Sequence, residues 1–277
     1  TYFEVMVEVI LKHNGTINEI IGDALLVIFG APQEMPDRAQ QAVACAIEMQ
    51  NTMKGVNELN RSQGLPALEM GIGLNETEVI VGNIGSSKRS KYAVVGSGVN
   101  MTSRIESYSV GGQILISESV RKEAGPVLRI DGQRDILPKG AEAPLRIYDV
   151  GGMAGKYNLA LEEKDPDLAT LTLEMPILYT VLEGKSAEKK KLNGSVIRLS
   201  EKSAVMVLDE PLEPMTNLKI SLDDVEDRLA GYDFYGKIIE RSGDKRLNHE
   251  LRFTSIPPEV DAYFKAHLRY AQKSGTN

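Results

Sequence analysis

The sequence predicts two domains, an α/β or α+β domain followed by a small β-barrel. At 277 residues the chain is about twice a usual domain length. Helical and strand periodicities interleave through residue 150. Past Gly151-Gly152 the texture changes to short β-rich runs at close spacing.

The elements can be read in order. Val5, Val7, Val9, Ile10 and Leu11 lie in a stretch of helical spacing that stops at Lys12-His13-Asn14-Gly15. Residues 16–21 alternate as a strand, Gly22-Asp23 marks a turn, and 24–29 is a continuous apolar run. That run reads as a central, buried strand, making 16–29 a hairpin. Pro36-Asp37 opens a helix whose Ala39, Ala42, Val43, Ala46, Met49 and Met53 form one apolar face through about Leu59. Residues 61–66 read as a loop. Strands are expected at 68–74, 79–81 and 92–95, and a helix at 99–108. A strand at 114–117 leads to a short helix at 117–123 capped by Ser117, then to closing strands at 129–136 and 145–150. A mixed segment, 154–169, ends in a polar run and reads as a linker. Strands follow at 171–182, 194–199, 204–208, 218–222, 232–240 and 249–253, and Pro257-Pro258 starts a last helix, 259–272.

Composition excludes several classes. Hydrophobic residues make up 42% and charged residues 26%, which excludes disordered and fibrous chains. The formal charge of −7 and a pI near 5.2 argue against a general nucleic-acid or anionic-membrane binder. A single cysteine, Cys45, excludes an intrachain disulfide and a Cys-rich zinc site, and it sits on an apolar helix face as a core residue. His13, His249 and His267 lack metal-site spacing. The run 24–29 is far short of the roughly 20 residues that cross a bilayer. Because the chain opens on Thr1 with a helix under way, the natural protein is expected to continue upstream. A targeting segment or membrane attachment there lies outside this sequence.

Two clusters carry chemistry. Asp23, on a tight turn beside an apolar strand, offers a fixed, open carboxylate of the kind a hard divalent cation wants. Gly-Asp is equally ordinary turn chemistry. Asn100 and Arg104 are four apart on a helix and project from one face. An amide and a forked guanidinium aimed at one point can hold a sugar oxygen and a phosphoryl oxygen. The alternative is a surface ion pair of Arg104 with Glu106 or Glu118.

Together these segments resemble the class III nucleotidyl cyclases. Ile21-Gly22-Asp23-Ala24 with Phe29-Gly30-Ala31-Pro32 resembles the family's metal-bearing hairpin. Gly71-Ile72-Gly73 and Val81-Gly82-Asn83-Ile84-Gly85 resemble its central strands. Tyr92 through Arg104, with Val99-Asn100 and Ser103-Arg104-Ile105-Glu106, resembles its catalytic helix. Lys139-Gly140, Pro144 and Tyr148 resemble its closing strands. The match implies an α+β, ferredoxin-like or palm domain over residues 1–153 that lacks the family's first strand and helix; the linker at 154–169 and the barrel at 170–277 then follow from the composition and strand pattern. It implies that Asp23 binds metal, Asn100 orients the ribose, Arg104 stabilises transition-state charge and Lys139 holds the terminal phosphates. The implied reaction is attack of the ribose 3′ hydroxyl on the α-phosphorus of GTP or ATP, releasing pyrophosphate, with two Mg²⁺ or Mn²⁺ ions. Active sites in the family form between two such domains, so a homodimer is implied, as are a cytoplasmic catalytic part and a sensor domain upstream.

Three departures stand out. The family's other metal aspartate lies upstream of Thr1, so the 277-residue chain alone is expected to be inactive. Ser97 stands where Asp or Asn is usual, and Glu76-Thr77 where Thr-Gly is usual. Position 19 corresponds to the base reader, Lys for adenine and Glu for guanine, and Glu19 favours GTP because a carboxylate accepts from guanine N1–H and N2–H₂. Its companion position is Ala93, which makes no polar contact; the plain alternative is that Glu19 is an exposed strand residue.

Residues 192–208, 235–239 and 251–253 with the following helix resemble PilZ barrels, many of which bind cyclic di-GMP. Of that family's arginine pair and Asp/Asn-x-Ser-x-x-Gly motif only Ser200 survives, and Glu188-Lys189-Lys190-Lys191 stands near the arginines. Lysine lacks the planar fork that grips phosphate, so cyclic di-GMP binding is not expected and the lysine run reads as a solvated loop. Two other functions stay open: a cyclase-like module that only dimerises or senses nucleotide, and a second domain that serves as a protein-binding adaptor.

Overall fold

A computed structural model describes residues 2–86, 88–137, 143–161, 168–183, 186–187, 190–223, 229, 231–243 and 247–274. The chain divides into two compact units, residues 1–56 with 70–162, and 57–69 with 163–277.

In the first unit, α1 (Tyr2–Lys12) leads into the hairpin β1 (Thr16–Ile21) and β2 (Ala24–Ile28), then α2 (Arg38–Ser62). Next come β3 (Ile72–Leu74), the hairpin β4 (Ile80–Ser86) and β5 (Arg89–Val95), and α3 (Ser97–Ser107). β6 (Ile114–Ser117), α4 (Glu118–Ala124), β7 (Leu128–Ile136), β8 (Leu145–Met153) and β9 (Leu159–Ala160) complete it. The main sheet runs β3-β6-β8-β7, with β9 paired to β8. β3 and β6 are parallel and the remaining pairs antiparallel, which makes the unit α+β.

Helices cover both faces of this sheet. Ile114 and Ile116 of β6 pack with Val43, Ala44 and Ile47 of α2 and Val120 of α4. Leu115, between them, points the other way onto Ile105 of α3, beside Ile136 and Ile147. A strand buried on both faces has no polar side to show, so Ile114–Ser117 is buried throughout. α2 buries a further stripe, Cys45, Met49, Met53 and Val56, against Met6, Val9 and Ile10 of α1, with Ile17, Val27 and Phe29 packed behind. Burial pushes the Cys45 thiol up to about 12, as expected of an inert core cysteine. α3 crosses β3 so closely that a Cβ at Gly73 would collide with the backbone of Glu106.

Several expectations are corrected. The apolar run at 24–29 is not a central buried strand. Among the described residues β2 pairs with β1 in a two-stranded sheet, and residues 25–28 are half-buried. Composition reports that a strand is apolar, whereas burial depends on what flanks it. The strand expected at 68–74 shortens to β3, and α2 runs on to Ser62. β4 extends to Ser86 because its pairing with β5 carries the strand through Gly82 and Gly85, which break the sequence pattern.

The second unit contains β10 (Ala169–Glu183), β11 (Ser186–Ala187), β12 (Leu192–Leu199), β13 (Ser203–Leu208), β14 (Asn217–Leu222), β15 (Asp233–Gly243), β16 (Leu247–Ser255) and α5 (Pro258–Ser274). The strands run β10-β12-β13-β16-β15-β14, and β14 pairs again with β10. This closes a six-stranded antiparallel barrel and removes its sheet edges. Tyr179, Val196, Met206, Ile220, Phe234 and Leu251 fill the interior. Val260, Phe264 and Leu268 of α5 recur every four residues and join the same core. Phe264 lies 5.4 Å from Phe234 and 5.5 Å from Phe253, centroid to centroid.

Candidate active site

The site residues sit on two supports in the first unit. The first is the β1–β2 hairpin. Ile21 faces Ala24 across a two-residue loop, Gly22-Asp23, and Gly22 adopts φ +66°, which a primed hairpin turn requires at that place. Asp23 is exposed at the tip. Burial first, and the Asp23 charge second, hold the Tyr2 phenol above its usual pKa. The strand register slips between Ile17 and Glu19, leaving Asn18 as an extra residue. Regular alternation would put Ile17 and Glu19 on one face. The bulge lets Ile17 pack into the core while Glu19 reaches out to β5.

There Glu19 Oε1 meets Lys91 Nζ at 2.5 Å. Lys91 and Ala93 are two apart on β5, so they share a face. Glu19 and Ala93 therefore belong to one neighbourhood, in which the Glu19 side chain keeps 42% of its surface exposed. Lys91 was missed in the sequence. Period two would have placed it beside Ala93, but only the docking of one hairpin on the other reveals its partner.

The second support is α3. Asn100 is exposed, Arg104 is half-buried, and they lie one turn apart. No hydrogen bond or ion pair engages either side chain among the described residues. The alternative partner Glu118 is taken up by Tyr148, Lys122 and Arg121. Asp23 stands on the hairpin and Asn100 and Arg104 on α3, and no hydrogen bond or ion pair among the described residues joins them. Lys139 lies outside the described residues.

Glu76 and Thr77 also find partners. Glu76 Oε1 lies 2.5 Å from Arg38 Nη2, and a Cβ at Gly98 would collide with the Thr77 side chain. As for metal, no group of three or more His, Cys, Asp or Glu that could hold an ion stands among the described residues. Asp23 nevertheless fits Mg²⁺ or Mn²⁺ as a single hard-oxygen ligand, since such ions are held in phosphoryl enzymes by one or two carboxylates plus the substrate's own phosphates.

In the second unit, Ser200 Oγ accepts from the Ser203 backbone N–H at 2.9 Å and that of Lys202 at 3.3 Å. Its hydroxyl thus belongs to the β12–β13 turn. Lys190 pairs with Glu210 at 3.0 Å on the surface; Glu188 and Lys189 lie outside the described residues. No described helix is long and apolar enough to cross a membrane.

The α+β unit with its turn carboxylate and its Asn/Arg helix is a nucleotidyl cyclase catalytic domain. The profile described as "Adenylate and Guanylate cyclase catalytic domain" matches residues 1–139, half of the chain, and the chain belongs to that family. The chain is 28% identical over 159 residues to adenylate cyclase 1 of Rhizobium meliloti, covering 57% of this chain and 24% of that protein. It is 31% identical over 160 residues to an adenylate cyclase of Anabaena cylindrica, covering 54% and 30%. It thus spans a quarter to a third of the length of these relatives. Among solved structures, the guanylyl cyclase Cya2 superposes with a TM-score of 0.57 at 52% identity, over 58% of this chain and 82% of that one. The adenylyl cyclase CyaB from P. aeruginosa gives 0.52 at 33% identity, over 57% and 82%.

Proposed function

We propose that the first unit converts GTP, in preference to ATP, to a 3′,5′-cyclic nucleotide and pyrophosphate, at sites shared between two copies of the chain. Glu19, held beside β5 by Lys91, carries this reading. Guanine presents two adjacent donors, N1–H and N2–H₂, and a carboxylate accepts from both. Adenine presents N6–H₂ beside the acceptor N1, so the same carboxylate gains one bond and faces a lone pair. The 52% identity to a guanylyl cyclase structure supports the same choice.

In the reaction the ribose 3′ oxygen bonds to the α-phosphorus as the bond from that phosphorus to the pyrophosphate oxygen breaks. Asn100 orients the ribose. Arg104 meets the charge growing on the transferring phosphoryl group with an always-ionised fork. Lys139 holds the terminal phosphates. Asp23 would hold Mg²⁺ or Mn²⁺, which when bound neutralises phosphate charge. A shared site is consistent with exposed Ile20, Ile21, Ile80, Ile84 and Val95 on the two hairpins that Glu19 and Lys91 tie together. We read the second unit as a PilZ-like barrel that has lost cyclic di-GMP binding, because its surviving Ser200 serves a turn.

The test is kcat/KM for GTP and ATP on the natural full-length protein and its Glu19→Lys variant. Wild type should prefer GTP by about 10- to 100-fold, roughly 1.4–2.8 kcal/mol. The variant should shift toward ATP, partially, since Ala93 offers no polar group. A wild-type preference for ATP that Glu19→Lys leaves unchanged would remove Glu19 from the base pocket.

A further inference from the structure

Helix α3 begins without a conventional cap. Its first residue is Ser97, the cap position is Gly96, and no side chain there bonds to the free N–H groups of the first turn. A glycine there leaves the first-turn N–H groups without a side-chain acceptor. Asn100 lies in that turn, so something else must hold it.

Three consecutive residues between β3 and β4 do so. Asn75 Nδ2 donates to the Gly98 carbonyl at 3.4 Å. Thr77 fills the space that a side chain at 98 would need. Glu76, between them, turns the other way and is anchored twice. Its carboxylate meets Arg38 Nη2 at 2.5 Å, and its carbonyl accepts from Ser119 Oγ at 2.9 Å.

Arg38 is the hub of this arrangement. Its Nη2 also lies 3.3 Å from Glu123 of α4. Its stem runs beneath Gly30, where a Cβ would stand 3.0 Å from Arg38 Cδ. One side chain at the start of α2 therefore touches the segment leaving the β1–β2 hairpin, the 75–77 turn and α4. As isolated surface pairs these contacts would add little. Their consequence lies in what they orient.

We propose that Arg38 and Glu76 are positioning residues for the cyclase reaction: they lock the 75–77 turn against Gly98 and so set the direction in which Asn100 and Arg104 leave α3. Neither touches substrate. The proposal rests on the reading of Asn100 and Arg104 as nucleotide contacts. It accounts for Glu76-Thr77 as a compensated alternative to Thr-Gly, in which the bulk of Thr77 is accommodated by the bare Gly98.

The experiment pairs amide hydrogen exchange with steady-state kinetics on the natural full-length protein. Arg38→Gln and Glu76→Gln should each speed exchange at residues 101–104, whose N–H groups bond back to the carbonyls of residues 97–100, about tenfold while barrel amides stay unchanged. Each should lower kcat about tenfold with KM within about twofold, the pattern of misplaced rather than missing groups. Arg38→Lys, which keeps the charge, should recover most of both. Unchanged exchange in both glutamine variants overturns the clamp. Faster exchange with unchanged kcat, in a protein that Arg104→Ala does impair, overturns the positioning role. Should Arg104→Ala itself leave turnover intact, the catalytic reading of α3 fails, and the exchange data still decide whether the clamp exists.

Discussion

Arg104 has neither an ion pair nor a hydrogen bond to its side chain among the described residues. With no partner of its own among them, its forked charge is available to a phosphoryl oxygen. Arg104→Ala should therefore lower turnover about 10²- to 10³-fold, about 2.7–4 kcal/mol, with a smaller change in KM. Equal losses in binding and turnover would make it a ground-state phosphate clamp. Glu19 differs, being already paired with Lys91. Lys91→Met should lower kcat/KM for GTP by about tenfold and leave that for ATP within about threefold, because Lys91 holds the Glu19 carboxylate, which accepts from two guanine N–H groups and from one on adenine. A parallel loss with both triphosphates would assign Lys91 to structure instead.

Between elements, shape complementarity decides more than charge. Thr77 and Gly98 are a large-for-small pair at the start of α3. Gly98→Ala has no room beside Thr77 and should destabilise the first unit by about 1–3 kcal/mol, the usual cost of overpacking. Thr77→Gly in the same chain should return most of that, so a double-mutant cycle should show a coupling of about 1 kcal/mol or more. Additive effects would mean that the turn and the helix do not share this contact. The bulge at Asn18 is a similar local device: one extra residue separates a core position, Ile17, from a site position, Glu19.

For the whole molecule, acid should act on the barrel through His249. The ring is fully buried, its Nε2 accepts from the Leu212 N–H at 2.9 Å, and its Nδ1 faces the Leu247 carbonyl at 2.8 Å. That geometry requires the neutral ring with its proton on Nδ1. Burial, with the Arg241 charge adding, holds its pKa below the ordinary value. The stabilisation is present above the unfolded pKa, near 6.5, and is lost as pH falls through the lower folded value. One proton limits the slope to about 1.4 kcal/mol per pH unit. The opening free energy of β13 and β16 amides, taken from exchange corrected for the intrinsic pH-dependent rate, should fall between pH 7.5 and 5 in the wild type and much less in His249→Gln. An equal fall in both would place the acid sensitivity elsewhere. The proposed shared site also makes a prediction about association. Ile80 is 70% exposed on β4. Ile80→Lys should shift sedimentation toward monomer and make turnover fall with dilution; an unchanged dimer would move the interface off the hairpins.

Much of this molecule is local and therefore legible in its sequence. The Gly22-Asp23 turn, the Asn100/Arg104 spacing and the apolar stripes of α1, α2 and α5 depend on backbone preference and periodicity over a few residues. The alternation from residue 169 onward indicates strands for the same reason, and the six that close the barrel all appear. Tertiary structure decided the rest, because pairing and docking join residues that the chain keeps far apart. Whether the apolar run at 24–29 was central depended on its neighbours, and among the described residues it has one. The partner of Glu19 lies 72 residues away, and that of Glu76 lies 38 away at the head of another helix. A departure from a motif reads as damage in one dimension. Only the packed fold shows Thr77 seated on Gly98, since steric fit is a property of two surfaces and a sequence states one at a time.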